Sequence, residues 1–172
     1  MTAKRHFISE EFKVTTWEFL QAYFQNCLDR NISSIDEFQS FLKDLSELES
    51  VVSEDLAWRY IRMTCDTANK ELEDSYINFV AEIQPNIAPF EDLLNQKIAA
   101  SNFVNDLSKD QAYFIYFRSI KNAIELFREA NIPLNAEMQT LSQKYGTITG
   151  GMSVEINGET LTLQQASNHL KS

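Results

Sequence analysis

Residues 108–127 read SKDQAYFIYFRSIKNAIELF, and this stretch carries the clearest helical pattern in the chain. Its large apolar residues recur at steps of four and three, which is the spacing of one face of an α-helix. They are Tyr113, Phe117, Ile120, Ile124 and Phe127. Ser108 and Gln111 stand at the spacing of a capping box, so we predict that Ser108 caps this helix. Asn131 and Pro133 are predicted to end it.

The same periodicity predicts three helices on the N-terminal side of this stretch. They cover residues 15–31, 34–48 and 53–83. Thr15 and Ser34 each precede a Glu at capping-box spacing, so we predict that they cap the first two helices. The third helix is predicted to begin at Ser53.

The third predicted helix is the longest and is apolar on two sides. Its second face begins with Tyr60, Met63 and Thr67. A helix that is apolar on two sides usually lies at the centre of a bundle. Pro85 is predicted to end this helix, because proline lacks the backbone donor that a helix interior needs. Pro89 is predicted in the first turn of the next helix.

A shorter helix with Leu134, Met138, Leu141 and Tyr145 is predicted to end at a Gly146 cap. The period then changes to two, which is typical of strands. Asn157-Gly158 is the strongest short hairpin signal and predicts a two-residue turn. That turn would pair Val154 with Leu161 and Met152 with Leu163. A further capping box, Thr162 to Gln165, predicts one more helix.

These elements predict a mainly α fold, a multi-helix antiparallel bundle with one small β-hairpin near the C-terminus. The chain has 172 residues, 44% of them hydrophobic, and only four Gly and three Pro. An all-β fold would need more turn residues. We predict a weakly ordered N-terminal arm in residues 1–14, a helical bundle in 15–146, and the hairpin with the start of a truncated helix in 147–172.

The net charge of −10 argues against nucleic acid and anionic membranes as partners, because both carry negative charge. No apolar run reaches the length of a membrane-spanning helix. Residues 1–11 lack the apolar centre of a secretory signal. We therefore expect a cytoplasmic protein.

The chain contains few residues that could carry catalysis or bind a metal. His6 and His169 are its only histidines and lie near opposite ends, and no HExxH motif occurs. Cys27 and Cys65 both fall on apolar helix faces, which favours two buried free thiols; a disulfide stays open as the alternative. We predict no catalytic, cofactor-binding or metal-binding residue in this chain.

Two further patterns resemble binding motifs but fit a structural role better. Residues 146–153 have the glycine and serine spacing of a phosphate-binding loop, but Met152 stands in place of its lysine. The predicted order, helix before and strand after, is also the reverse of that motif. Acidic runs such as Glu10-Glu11 lack the glycine-punctuated spacing of a calcium loop and suit a solvated helix face.

Three stretches together resemble the N-terminal part of a known enzyme family. They are AWRYIRMTCDT at 57–67 with FVAEIQP at 79–85, IELFREANIPL at 124–134, and the hairpin followed by TLQQA at 162–166. Their order, spacing and residue identities resemble oligoendopeptidase F, in the thimet-oligopeptidase-like family of zinc metallopeptidases. The resemblance covers residues 15–172.

The resemblance implies an intracellular enzyme that cleaves short peptides with a zinc ion held by two His and a Glu. Those residues belong to the family's C-terminal half, and none is present here. The resemblance thus implies a non-catalytic N-terminal part that serves as scaffold and as one wall of the substrate channel. Its partners would be the catalytic C-terminal half of the same protein and oligopeptide substrates.

The alternative interpretation is a free-standing helical module that binds partners through an apolar groove. No stop signal follows the helix predicted at Thr162, so we expect that the chain is truncated at Ser172. A fragment would expose apolar surface meant to be covered. We expect such a fragment to form a homodimer through the hairpin and the terminal helix.

Overall fold

A computed structural model describes residues 5–170 of the chain and confirms the predicted fold class. The helices are α1 (Trp17–Asp29), α2 (Ile35–Cys65), α3 (Lys70–Asn78), α4 (Gln84–Ala99), α5 (Val104–Leu107), α6 (Gln111–Leu126), α7 (Asn131–Gly151) and α8 (Leu163–Ser167). A π-type turn, Phe79–Ile83, joins α3 to α4, and a 3-10 turn, Asn168–Leu170, follows α8. Strands β1 (Ser153–Ile156) and β2 (Glu159–Thr162) form one antiparallel hairpin.

The hydrophobic core lies between α1, α2, α4 and α6. Phe38 of α2 is fully buried, and its ring packs near those of Phe41, Phe103 and Phe117 at centroid distances of 6.0 to 6.3 Å. Burying one such side chain contributes about 1.5–3 kcal/mol. The stripe predicted in residues 108–127 faces this core, with Phe117 and Ile120 buried. By contrast, α7 contributes no buried residue.

The predicted helix over residues 53–83 is wrong at both ends. Helix α2 runs without a break through Ser53, because no Gly or Pro interrupts residues 35–65 and the apolar stripe continues to Val51. It ends at Cys65, and Asn69 then caps α3 by accepting hydrogen bonds from the backbone N–H groups of Glu71 and Leu72. A serine with helix on both sides does not by itself begin a helix.

The predictions for Pro85 and Pro89 are also wrong, because the helical path continues through both residues. The turn over Phe79–Ile83 is wider than an α-helical turn, and the Gln84 N–H donates to the Phe79 carbonyl. This local widening accommodates the missing donor of Pro85. Pro89 lies in the interior of α4 instead of in its first turn.

Several helix ends differ from the prediction. Asn131 and Pro133 do not end the helix predicted in residues 108–127, because α6 ends at Leu126 and α7 begins at Asn131 and includes Pro133. Thr16, not Thr15, precedes α1. Asp110, not Ser108, caps α6, and its carboxylate accepts from the Ala112 N–H at 2.7 Å. Helix α7 continues past Gly146 to Gly151. The predicted Ser34 cap is confirmed, since its hydroxyl accepts from the Glu37 N–H.

The hairpin was predicted from local chemistry, and its turn is confirmed. Asn157 and Gly158 have φ angles of 55° and 84°, which is the left-handed region that this turn requires. Val154 pairs with Leu161 as predicted, but the ladder ends one pair earlier than predicted, at Ser153 and Thr162. The capping box that opens α8 is complete in both directions.

Residues 5–14 pack against the bundle. The carboxylate of Glu47 on α2 accepts hydrogen bonds from the backbone N–H groups of His6, Phe7 and Ile8. Ile8 and Val14 are each 2% exposed. The weak order predicted for residues 1–14, of which 1–4 lie outside the described residues, stays a prediction, as do the domain boundaries.

Candidate functional site

The potential metal ligands of the chain are scattered. Among residues 5–170, no three His, Cys, Asp or Glu side chains are grouped closely enough to hold a metal ion. His6 lies beside α2, and His169 lies in the turn after α8. The described residues therefore do not fit a zinc ion. Residues 146–153 form the last turns of α7 and the start of β1 instead of a phosphate-binding loop.

The two cysteines lie in different environments. Cys27 is buried in the core, and burial raises the pKa of its thiol. Cys65 is exposed at the end of α2, so the prediction of two buried thiols is wrong for this residue. Both thiols are free, and the alternative of a disulfide between them does not hold.

Helix α7 presents a continuous apolar face to solvent. We name this face the outward stripe; its members are Leu134, Met138, Leu141, Tyr145, Ile148 and Met152. They alternate at steps of four and three, the spacing with which one helix packs along another. Each is between 46% and 69% exposed. Soluble proteins rarely leave such a face uncovered, so the outward stripe is a candidate interface.

A cleft of about 600 Å³ lies where the C-terminal end of α2 and helix α3 face α7 and the start of α8. We name it the neutral cleft, because none of its 15 lining residues is charged, whereas charged residues make up 23% of the chain. Hydroxyl and amide side chains dominate its lining. They include Tyr60, Thr67, Tyr76, Gln139, Ser142 and Gln164. Such a lining can hydrogen-bond a ligand but cannot pair with an ionic one.

The two tyrosines form one wall of the neutral cleft. Tyr60 on α2 and Tyr76 on α3 have ring centroids 5.7 Å apart. Burial, with the adjacent Tyr60, raises the pKa of Tyr76. Its hydroxyl is a donor at neutral pH, as a tyrosine hydroxyl ordinarily is. Within residues 5–170, neither hydroxyl nor the side-chain amide of Gln139 forms a hydrogen bond. All three groups are thus available to a ligand.

The comparison with protein-family models identifies the chain. Residues 7–127 match the model of the Peptidase M3 N-terminal domain. The chain belongs to this family. Neither the curated proteins nor the solved structures gave a match. As the N-terminal domain of a metallopeptidase family, it has its catalytic partner in another part of the same protein.

The matched region of this M3 N-terminal domain spans α1 to α6. The outward stripe therefore lies entirely after the matched residues. The neutral cleft combines both regions, since Tyr60 and Tyr76 lie inside the match and Gln139 and Gln164 lie after it. The sequence did contain a signal for one wall, because Tyr60, Met63 and Thr67 form the predicted second face. We interpreted that face as packing surface.

No helix among residues 5–170 of this M3 domain has the length and apolar character needed to cross a membrane.

Glu49, in the matched region, is a carboxyl group with a strongly raised pKa. Burial raises the pKa of Glu49 on α2 to about 7, and the nearby Glu91 carboxylate adds to the effect. Tyr116 packs against the same core, and burial together with the Glu49 charge raises its pKa to about 12. Glu49 therefore holds its proton in the folded protein at pH values where an exposed carboxyl would be ionised.

We expect Glu49→Gln to stabilise the fold near pH 8 and to have little effect near pH 4.5. The pKa is raised from 4.5 to about 7 on folding, so the folded form binds the proton more tightly. The contribution of Glu49 to the free energy of unfolding is fully present below the pKa that this group has in the unfolded chain. It is lost as pH rises through the pKa that the group has in the folded chain. The neutral amide of the variant avoids that loss, which is about 1–2 kcal/mol after allowance for solvent screening.

Urea unfolding near pH 4.5 and near pH 8 measures this difference. Glu129→Gln, at an exposed position between α6 and α7, is the matched control and should shift neither value. Equal effects of Glu49→Gln at the two pH values would contradict the assigned environment.

Proposed function

We propose that this chain is the N-terminal, non-catalytic helical part of a cytoplasmic zinc metallo-oligopeptidase of the oligoendopeptidase F type, an enzyme that hydrolyses short peptides. Its role is that of a scaffold and of one wall of the substrate channel. The match of residues 7–127 to the Peptidase M3 N-terminal domain carries this proposal. The lack of any grouped metal ligands among residues 5–170 supports the non-catalytic role.

The outward stripe supports the scaffold role. Helix α7 has 21 residues and buries none of them, yet it carries apolar residues at regular heptad-like spacing. An N-terminal domain of a peptidase has its catalytic part in the same protein. The stripe follows the matched region, on the side of the chain that leads towards that part. The catalytic part therefore covers the outward stripe.

The chain alone and the intact protein encoded by the same reading frame provide the test. We expect the intact protein to contain an HExxH motif, to retain about one zinc ion per chain after dialysis, and to cut fluorogenic oligopeptides. The chain alone should bind no stoichiometric zinc and leave these peptides uncut. Tight zinc in the chain alone, or a reading frame without HExxH, would contradict the proposal.

A cysteine introduced in place of Met138 tests whether the outward stripe is covered in the same two proteins. With Cys65 replaced by serine, Met138→Cys should react rapidly with a thiol reagent in the chain alone and slowly in the intact protein. Equal rates in urea, where both proteins are unfolded, provide the control. Equal rates in the native proteins would leave the stripe free for another partner and favour the free-standing interaction module.

A further inference from the structure

The neutral cleft and the outward stripe share α7 but lie on different sides of it. Successive residues of an α-helix are about 100° apart. On that basis Gln139, Gly146 and Gly150 lie roughly 120–160° around α7 from the centre of the stripe. Ser142 and Thr149, which also line the cleft, lie between these positions and the stripe. The neutral cleft and the outward stripe are therefore distinct surfaces of α7.

The neutral cleft does not favour ionic ligands. A charged group that enters it gives up part of its hydration and meets no counter-charge among the lining residues. The lining has hydroxyl groups, which both donate and accept, and carboxamides, which offer a donor and an acceptor on one side chain. A peptide main chain has the complementary character, since it is uncharged and every residue except proline has one donor and one acceptor.

We propose that the neutral cleft is a binding subsite for the main chain of an extended peptide, specific for stretches without charged side chains. This proposal rests on the proposed function and specifies where in this chain the peptide substrate lies. Tyr60, Tyr76 and Gln139 supply hydrogen bonds from groups that have no partner of their own among residues 5–170. The cleft volume of about 600 Å³ lies within the range of small-ligand sites.

Two glycines on α7 allow a test that does not disturb the fold. Gly146 and Gly150 line the cleft, and a Cβ atom at either position meets no atom within 4 Å. Neither glycine has a positive φ, so both accept other residues. Gly146→Met would place its side chain in the cleft and would also favour the helix, by about 1 kcal/mol. Gly151→Met is the matched control, because Gly151 is equally open and does not line the cleft.

The probe is an N-acetylated, C-amidated hexapeptide of alternating serine and alanine, titrated into the ¹⁵N-labelled chain. We expect amide shifts centred on the cleft, an affinity lowered about tenfold by Gly146→Met, and no change with Gly151→Met. Tenfold corresponds to about 1.4 kcal/mol. Glutamate in place of two of the serines should also weaken binding. Gln139→Met provides a second variant that removes the amide without filling the cleft.

Absence of shifts at the cleft, or equal binding by Gly146→Met and the parent chain, would overturn the subsite. The intact protein separates this result from failure of the proposed function. An intact protein that lacks peptidase activity while the chain binds the peptide at the cleft would refute only the proposed function. An active peptidase whose KM is unchanged by both Gly146→Met and Gln139→Met would refute only the subsite.

Discussion

Lys97→Met is expected to lower the free energy of unfolding by about 3 kcal/mol, because one ammonium group closes the C-terminal end of α1. The Lys97 Nζ donates to the backbone carbonyls of Cys27, Leu28 and Arg30 at 2.9, 2.7 and 2.6 Å. The last carbonyls of a helix have no partner within the helix itself. Lys97 supplies these partners from α4, a helix distant in sequence.

The charge of Lys97 adds to the effect of its hydrogen bonds. A cation near the C-terminal end of a helix interacts favourably with the helix dipole. Hydrogen bonds to charged groups contribute about 1.5–3 kcal/mol each, but three bonds to one donor are not additive. Burial lowers the pKa of Lys97, so part of this gain is lost to desolvation. An intermediate value of about 3 kcal/mol follows.

Chemical denaturation of Lys97→Met, of a control variant and of the parent chain measures the loss of unfolding free energy. Methionine keeps an unbranched apolar chain, so its introduction removes mainly the ammonium group, whose Nζ lies 5.2 Å from the centre of the Phe41 ring. Lys121→Met, at an exposed position on α6, is the matched control and should change stability by less than about 0.5 kcal/mol. A loss from Lys97→Met no larger than that of the control would mean that the carbonyls at the end of α1 are satisfied by water.

The sequence predicted those elements whose chemistry is local. The Asn157-Gly158 turn and the Thr162 capping box each depend on a few neighbouring residues, and the structure confirms both. Helix ends were less predictable, because adjacent residues offered equivalent caps. Asp110 lies two residues from Ser108 and caps α6 in its place, by accepting a hydrogen bond from the Ala112 N–H. Single-sequence patterns cannot decide between such neighbours.

The candidate surfaces could not be predicted, for two different physical reasons. The neutral cleft combines residues from four separate segments, and helical periodicity contains no information about which helices meet. The outward stripe was visible as a pattern, but periodicity cannot distinguish a face that meets this chain from one that meets another part of the protein. Exposed apolar surface was expected at the hairpin and terminal helix, where Val154, Leu163 and Leu170 are indeed exposed. The structure adds the outward stripe on α7.

Arg59→Met is expected to destabilise the fold by about 3–4 kcal/mol, since it breaks a network that joins three segments. The Arg59 guanidinium forms an ion pair with Asp55 and donates to both the carbonyl and the hydroxyl of Ser75 at 2.9 Å. It also donates to the Val14 carbonyl at 2.6 Å. Its side chain is only 15% exposed, so these partners would be left largely without water to replace it.

Arginine is required here for its geometry as well as for its charge. Its planar fork reaches α2, α3 and the segment before α1 at the same time, whereas a lysine ammonium is a single point charge. Arg59→Lys should therefore recover less than half of the lost stability. Arg118→Met, at an exposed position on α6, is the matched control. Equal stability of the Arg59→Lys variant and the parent chain would mean that charge alone accounts for the network.

The Arg59 network also fixes one wall of the neutral cleft. Tyr60 and Tyr76 directly follow Arg59 and Ser75 in the sequence, so the bond between Arg59 and Ser75 holds the two tyrosines at their 5.7 Å separation. Arg59 lines a different surface and does not line the cleft. In conditions where the Arg59→Met variant remains folded, peptide shifts at Tyr60 and Tyr76 should therefore weaken more than those at Gln139 on α7. A uniform weakening across the cleft would instead indicate a general loss of stability.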